Sequence, residues 1–159
     1  MEKIASFQVD HQKLSRGIFV SRIDEINGNY LTTFDIRMKL PNREPVMNIA
    51  EMHTIEHLGA TFLRNHKVWK NEIIYFGPMG CRTGFYAIIK GKLESSELLE
   101  LIKEMFEYIS VFEDKIPGAS EIECGNYLDQ NLPMARYEAE KYLKETLFDI
   151  KEENLKYPE

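Results

Sequence analysis

The stretch Met52-His53-Thr54-Ile55-Glu56-His57-Leu58-Gly59-Ala60-Thr61-Phe62-Leu63-Arg64 decides how the rest of the chain is read. Met52, Ile55, Leu58, Gly59, Phe62 and Leu63 recur at helical spacing, which predicts an amphipathic helix with one side in a core. At about 100° of rotation per residue, His53 and His57 stand one turn apart, with Glu56 beside them at the edge of the apolar side. Two neutral imidazoles so placed suit a divalent metal, and the neighbouring carboxylate suits proton transfer to whatever the metal holds. The order HxxEH is the inverted form of the zinc-peptidase motif. Three polar side chains meeting solvent would be the plainer explanation, but the apolar residues flanking them place the trio against the core. Spacing alone chooses neither the metal nor the reaction.

Upstream, Asn48 and Glu51 have the spacing of a capping box for this helix, and Pro41 and Pro45 end the strand before it. Residues 17–40 read as a hairpin. Ile18 and Val20 lead to the turn pair Asn27-Gly28, after which Phe34, Ile36, Met38 and Leu40 alternate. That alternation puts Asp35, Arg37 and Lys39 on the other face, where a charged row is expected to meet water unless the face lines the metal pocket. Downstream, residues 72–76 and 85–90 are predicted strands flanking the loop 77–84. Its three glycines permit positive φ and close backbone approach, holding Cys81 at a strand end. Arg82 is expected to favour the Cys81 thiolate, the competing reading being an inert loop cysteine.

Ser95 or Ser96 opens a helix whose stripe Leu98, Ile102, Met105, Phe106 and Ile109 is core, with Glu97 and Glu100 suited to its N-terminal dipole. Pro117 and Gly118 break the chain before Glu121, Glu123 and Cys124, three possible metal ligands. A last helix from about Asn131 and Pro133 is expected to bury Ala135, Ala139, Tyr142, Leu143, Leu147 and Ile150, and residues 151–159 are expected to fray. Residues 1–14 show no period. Ser6, Phe7, Asp10 and His11 make a polar and aromatic cluster there that an ordinary N-terminal arm would also show. The order hairpin, helix, strand pair, helix, helix predicts an α+β fold, an antiparallel sheet packed against helices in a single domain of residues 1–159.

With 159 residues, 43% of them hydrophobic, one domain with a substantial core is the default. Twenty basic against 26 acidic residues give a net charge of -6 without a basic footprint, so nucleic acid is not an expected partner. Residues 1–10 lack an apolar signal core and no window approaches the ~18 apolar residues of a membrane span, which predicts a cytoplasmic protein with no membrane partner. In that reducing setting Cys81 and Cys124 are expected as free thiols.

A catalytic metal wants three protein ligands and an open position, and the helix supplies two. Cys124 is the preferred third because thiolate suits borderline-soft metals; Glu121 and Glu123 remain open. Glu56 and Cys81 are then unligated proton carriers. A Lewis acid on a carbonyl with two bases nearby suits proton abstraction next to that carbonyl, and so isomerisation and elimination. Peptide hydrolysis has no need of a second, thiol base.

Taken together, Ser6, Phe7, Asp10 and His11, then Asp35-Ile36-Arg37, the run from His53 to Leu58, the run from Pro78 to Phe85, and Cys124-Gly125 resemble the S-ribosylhomocysteine lyase (LuxS) family, in order along nearly the whole chain. The resemblance implies an enzyme that splits S-ribosylhomocysteine into homocysteine and 4,5-dihydroxy-2,3-pentanedione, the autoinducer-2 precursor, by two carbonyl shifts and a β-elimination. It implies a metal on His53, His57 and Cys124, Fe2+ natively and often Zn2+ as isolated, with Glu56 and Cys81 exchanging protons with substrate. It also implies substrate contacts from Ser6, His11 and Arg37, and a homodimer with its sites at the subunit interface. Two positions depart from the family's habit: Tyr75 stands where an aspartate is common, and Gln130 where a histidine is common. The alternatives are a small inverzincin-type metallopeptidase, which would be expected to use a downstream glutamate ligand and a long cleft, and a noncatalytic metal module with a closed four-ligand shell.

Overall fold

A computed structural model describes Glu2, Ile4 and residues 7–158 of the chain. Four strands, β1 (Gly17–Ile26), β2 (Asn29–Arg37), β3 (Ile73–Pro78) and β4 (Gly84–Lys90), form one antiparallel sheet in the order β1-β2-β4-β3. Three helices, α1 (Ile49–Asn65), α2 (Ser95–Ser110) and α3 (Leu132–Glu145), complete the α+β fold expected from the sequence. The hairpin turn forms at Asn27 and Gly28, both at positive φ (50° and 77°), which is the backbone a two-residue turn between twisted strands requires. Register then sorts the side chains. Ile18, Ile36 and Phe85 lie in one row across the sheet and Val20, Phe34 and Ala87 in another, and these rows face the helices.

Asn48 caps α1 as expected: Glu51 Oε1 accepts the Asn48 backbone N–H at 2.6 Å. The helix buries Met52, Ile55, Leu58, Gly59 and Leu63 against β3 and α2. The approach is close enough that a Cβ on Gly59 would lie 2.5 Å from the Phe76 ring and 3.1 Å from Met105 Sδ. The cap of α2 is Glu94 and not a serine. Its N–H is accepted by the Glu97 carboxylate at 2.8 Å, while Ser95 is buried as the first helical residue. In α3, Asn131 Oδ1 accepts the Met134 N–H at 3.1 Å, and Ala135, Ala139, Tyr142 and Leu143 turn inward. No helix of the described residues is long and apolar enough to cross a membrane.

Two expectations fail, for Asp35 and the tail because each covers the other, and for Lys39 because α3 covers it. Asp35, Arg37 and Lys39 are not solvated: they are 1%, 3% and 4% exposed. Residues 151–158 do not fray either, because the chain after α3 folds back on the sheet. The 3-10 turn Glu152–Asn154 is tied to the start of β1, with Asn154 Nδ2 donating to Arg16 O at 2.8 Å and Ser15 Oγ to Glu153 O at 2.8 Å. A side chain at Gly17 would meet Asn154 O at 2.0 Å, so glycine is required there. Tyr157 then stacks on Phe19, with ring centroids 4.9 Å apart and planes at 13°, and reaches Asp35 on the same sheet face. Lys39, just past β2, turns to Glu138 of α3 at 2.6 Å, both side chains nearly shut off from water.

A buried ion pair is costly to break and cheap to replace whole. Glu138→Ala is therefore expected to lower the unfolding free energy by about 3–5 kcal/mol in urea titrations, and the double variant Lys39→Met/Glu138→Leu to return to within about 1 kcal/mol of the wild type. A single-variant loss under about 0.5 kcal/mol would show that water reaches the pair.

Candidate metal centre

Because the apolar residues of α1 are committed to the core, its His53, Glu56 and His57 sit half-buried on the flank. That flank faces the segment between α2 and α3. Two carbonyls of this segment hold the imidazoles: His53 Nδ1 bonds Asp129 O at 2.8 Å and His57 Nδ1 bonds Pro117 O at 2.7 Å. A carbonyl accepts only, so each Nδ1 carries the proton and each Nε2 presents a lone pair. The two Nε2 atoms face each other at 3.0 Å, and Cys124 Sγ lies 3.4 Å from that of His53. Three electron-rich atoms all within 4.8 Å of one another repel unless a cation lies among them. Two imidazoles and a thiolate form a donor set that fits a borderline divalent ion. The backbone N–H of Asn126 points at the sulfur at 3.5 Å.

The choice left open among Glu121, Glu123 and Cys124 is thereby narrowed. Glu121 and Glu123 are exposed, and the Glu123 carboxylate accepts from Ser120 Oγ at 2.6 Å, outside the cluster. Glu56 makes no hydrogen bond or ion pair with the described residues and remains a free carboxylate beside the two histidines. Gln130 stands behind His53, its amide 2.7 Å from Thr54 Oγ1 and 3.3 Å from His53 Nδ1, so a glutamine at this position still touches the cluster. Tyr75 is 46% exposed on the sheet, away from the three-residue cluster.

Cys81 belongs to a second cluster, built on the sheet. The loop between β3 and β4 is a turn closed by Arg82 N–H to Met79 O at 3.0 Å and fastened to the start of α1 by Met47 N–H to Arg82 O at 3.1 Å. Its positive φ falls on Arg82 (59°) and on none of its glycines. Nor is Arg82 the cation beside the thiol. Arg37 is: Nη1 lies 3.7 Å from Cys81 Sγ and donates to Thr83 Oγ1 at 2.5 Å, and Thr83 Oγ1 is 3.1 Å from the same sulfur. Asp35 holds the other edge of the guanidinium, at 3.1 and 2.5 Å. Burial pushes the Cys81 thiol up, but the hydrogen bonds of Thr83 and the charge of Arg37 outweigh it and leave the thiol below its ordinary value. Burial would also pull Arg37 down, and Asp35 more than restores it, so the guanidinium stays charged. Both cysteines are free thiols.

His11, its Nδ1 bonded to Val9 O at 2.8 Å, lines a small cavity with Asp35, Arg37, Tyr86 and Tyr157. Ser6 lies outside the described residues. The structure thus joins His53, His57 and Cys124 in one cluster, and Cys81, Arg37 and the neighbourhood of His11 in another, with no hydrogen bond between the two among the described residues. The sequence reading missed Thr83 and Tyr157 as partners of the second cluster. Thr83 was in plain view two residues after Cys81; Tyr157 had no periodic or motif signal at all.

Residues 4–153 match the family model described as S-ribosylhomocysteinase (LuxS). The chain is 57% identical over 158 residues to the S-ribosylhomocysteine lyase of Clostridium beijerinckii, covering 99% of each chain. To that of Porphyromonas gingivalis it is 57% identical over 159 residues, covering 100% of each. To that of Borrelia garinii subsp. bavariensis it is 59% identical over 158 residues, covering 99% of this chain and 100% of the relative. With a family match over residues 4–153 and relatives 57% identical over nearly the whole chain, the chain belongs to the S-ribosylhomocysteinase (LuxS) family.

Proposed function

We propose that the chain, acting as one domain over residues 1–159, is a metal-dependent carbon-sulfur lyase. It converts S-ribosylhomocysteine to homocysteine and 4,5-dihydroxy-2,3-pentanedione, the autoinducer-2 precursor. The observation that carries this reading is the division of labour between the two thiols: Cys124 converges with His53 and His57, while Cys81 is kept apart beside Arg37 with its thiol eased toward thiolate. Hydrolysis of a peptide would leave the second thiol without a task, and the downstream glutamates that a peptidase would be expected to use stand outside the cluster.

A divalent ion on His53, His57 and Cys124, Fe2+ in the cell and Zn2+ where that replaces it, supplies Lewis acidity that lowers the cost of removing a proton next to a carbonyl. Glu56, unpaired and beside the histidines, takes and returns protons on the substrate's carbons and oxygens. Cys81 does the same from the other side as thiolate and thiol in turn. Each carbonyl shift moves one proton from carbon to a base and one back to the adjacent carbon, while the hydroxyl proton passes to the former carbonyl oxygen through the enediol. In the last step a base removes the proton next to the carbonyl, the electron pair forms a carbon-carbon double bond, and the carbon-sulfur bond breaks; the protonated base returns its proton to the departing thiolate as homocysteine, and the enol left behind tautomerises to the dione. Arg37, His11 and Ser6 bind the substrate, Arg37 also holding the Cys81 anion in place. The separation of the two clusters within one chain supports a homodimer whose sites lie at the subunit interface. The sheet's outer face, with Tyr75 46% exposed beside half-buried Tyr86 and Ile88, supports the same arrangement. Two free thiols and the absence of a spanning helix among the described residues agree with a cytoplasmic setting.

Freshly purified Fe2+ protein incubated with S-ribosylhomocysteine is expected to release one free thiol per substrate in an Ellman assay. No release, together with cleavage of a peptide library, would overturn the lyase reading. Cys81→Ala should keep its metal by elemental analysis while losing about 10²–10⁴ in turnover, as removal of an acid-base group does. Cys124→Ala should lose the metal itself, and equal metal contents in the two variants would show that the thiols are assigned wrongly.

A further inference from the structure

We infer that Tyr157 is a positioning residue for Cys81: its hydroxyl fixes the Asp35 carboxylate that holds Arg37 against the thiol, which makes the C-terminal tail part of the site. The inference rests on the reading of Cys81 as a proton carrier. It starts from an unbroken chain of contacts. Tyr157 donates to Asp35 Oδ2 at 2.9 Å, and the same Oδ2 accepts from Arg37 Nη2 at 2.5 Å. Arg37 Nη1 completes the chain, reaching Cys81 directly at 3.7 Å and through Thr83 Oγ1.

The tail is placed to do this. Asp35 is 1% exposed and already satisfied by two bonds from Arg37, so the tyrosine is not needed to neutralise it. What the hydroxyl adds is direction: a carboxylate bonded only to the guanidinium can pivot with it, and a third donor from another element stops the pivot. The ring is in turn fixed by its stack on Phe19 and by the ties of residues 153 and 154 to Ser15 and Arg16. Tyr157 also lies beyond residue 153, where the match to the family model ends, so this strut is a property read from this chain's own contacts.

The titratable and charged groups around Arg37 and the thiol come from several elements: Asp35 of β2, Tyr86 of β4, His11 of the N-terminal arm, Tyr157 of the tail and Arg82 of the thiol's own loop. Arg37 is the cation in contact with the sulfur. If its guanidinium swings, the thiolate loses its partner and a higher pH is needed to form it.

The test is the pH profile of Cys81 alkylation by iodoacetamide on metal-loaded protein, with the modified residue assigned by mass spectrometry. Tyr157→Phe keeps the stacked ring and removes only the hydroxyl. It is expected to move the midpoint up by about 0.5–1 pH unit, and truncation after Leu155 to move it at least as far. Lyase turnover of Tyr157→Phe should fall about 3–10-fold below the new midpoint and recover above it. A lowered melting temperature with a midpoint within about 0.1 unit of the wild type would make Tyr157 merely structural and overturn the inference. The alkylation readout needs no substrate, so an inactive wild-type chain would sink the lyase reading while the midpoint still decides the role of Tyr157.

Discussion

The seating of α1 on the sheet is the constraint from which the metal cluster follows. Ile55, Leu58 and Leu63 are fully buried, and Gly59 lets the helix backbone come within a methyl's width of Phe76 and Met105. A helix packed that closely has one rotational setting, because turning it by a single residue would expose several large apolar side chains at about 1.5–3 kcal/mol each. With the setting fixed, His53, Glu56 and His57 have only one direction to face. The carbonyls of Pro117 and Asp129 then select the tautomer in which both Nε2 lone pairs converge. Hydrophobic packing thus arranges the candidate ligands.

The second cluster depends on a different force. Asp35 and Arg37 lie on the face of the sheet away from the helices, yet both are shut off from water by the N-terminal arm and the returning C-terminal tail. A buried guanidinium is tolerated only with its partners in good geometry, and here it has a carboxylate on one edge and Thr83 with Cys81 on the other. Low local polarity makes each of these contacts stronger than it would be at the surface, which is why the thiol is drawn toward its anion although it is partly desolvated. The two cysteines are therefore differentiated by their neighbours: one sulfur faces imidazole lone pairs and a backbone N–H, the other a fixed cation. This is the physical basis for assigning them different roles in the proposed lyase.

Much of this was legible in the linear chain. The 3.6-residue period of residues 52–64, the Asn48 and Glu51 cap, the Asn27-Gly28 turn and the alternation through Phe34 and Ile36 each depend on neighbours within a few residues. Such local preferences specified the element order and the α+β class, and the i, i+4 spacing of the histidines specified a metal-binding face. Glu56 in its HxxEH spacing and the Pro78–Phe85 stretch carried enough pattern to mark the candidate site and the family.

Tertiary structure alone decided what lies next to what across long separations. Alternation places Asp35 and Arg37 opposite the core rows, but a strand does not encode whether that face meets water or a folded-back tail, and Tyr157 arrives from 122 residues away. The same holds for Arg37 displacing Arg82 as the thiol's partner. Adjacency in sequence sets only where a side chain begins, whereas the turn at Arg82 and the register Arg37 to Gly84 set which one reaches the sulfur. The sequence determined which chemical groups were available and on which elements they ride. Only the folded chain, by closing loops whose contacts no local propensity can specify, decided which of them meet.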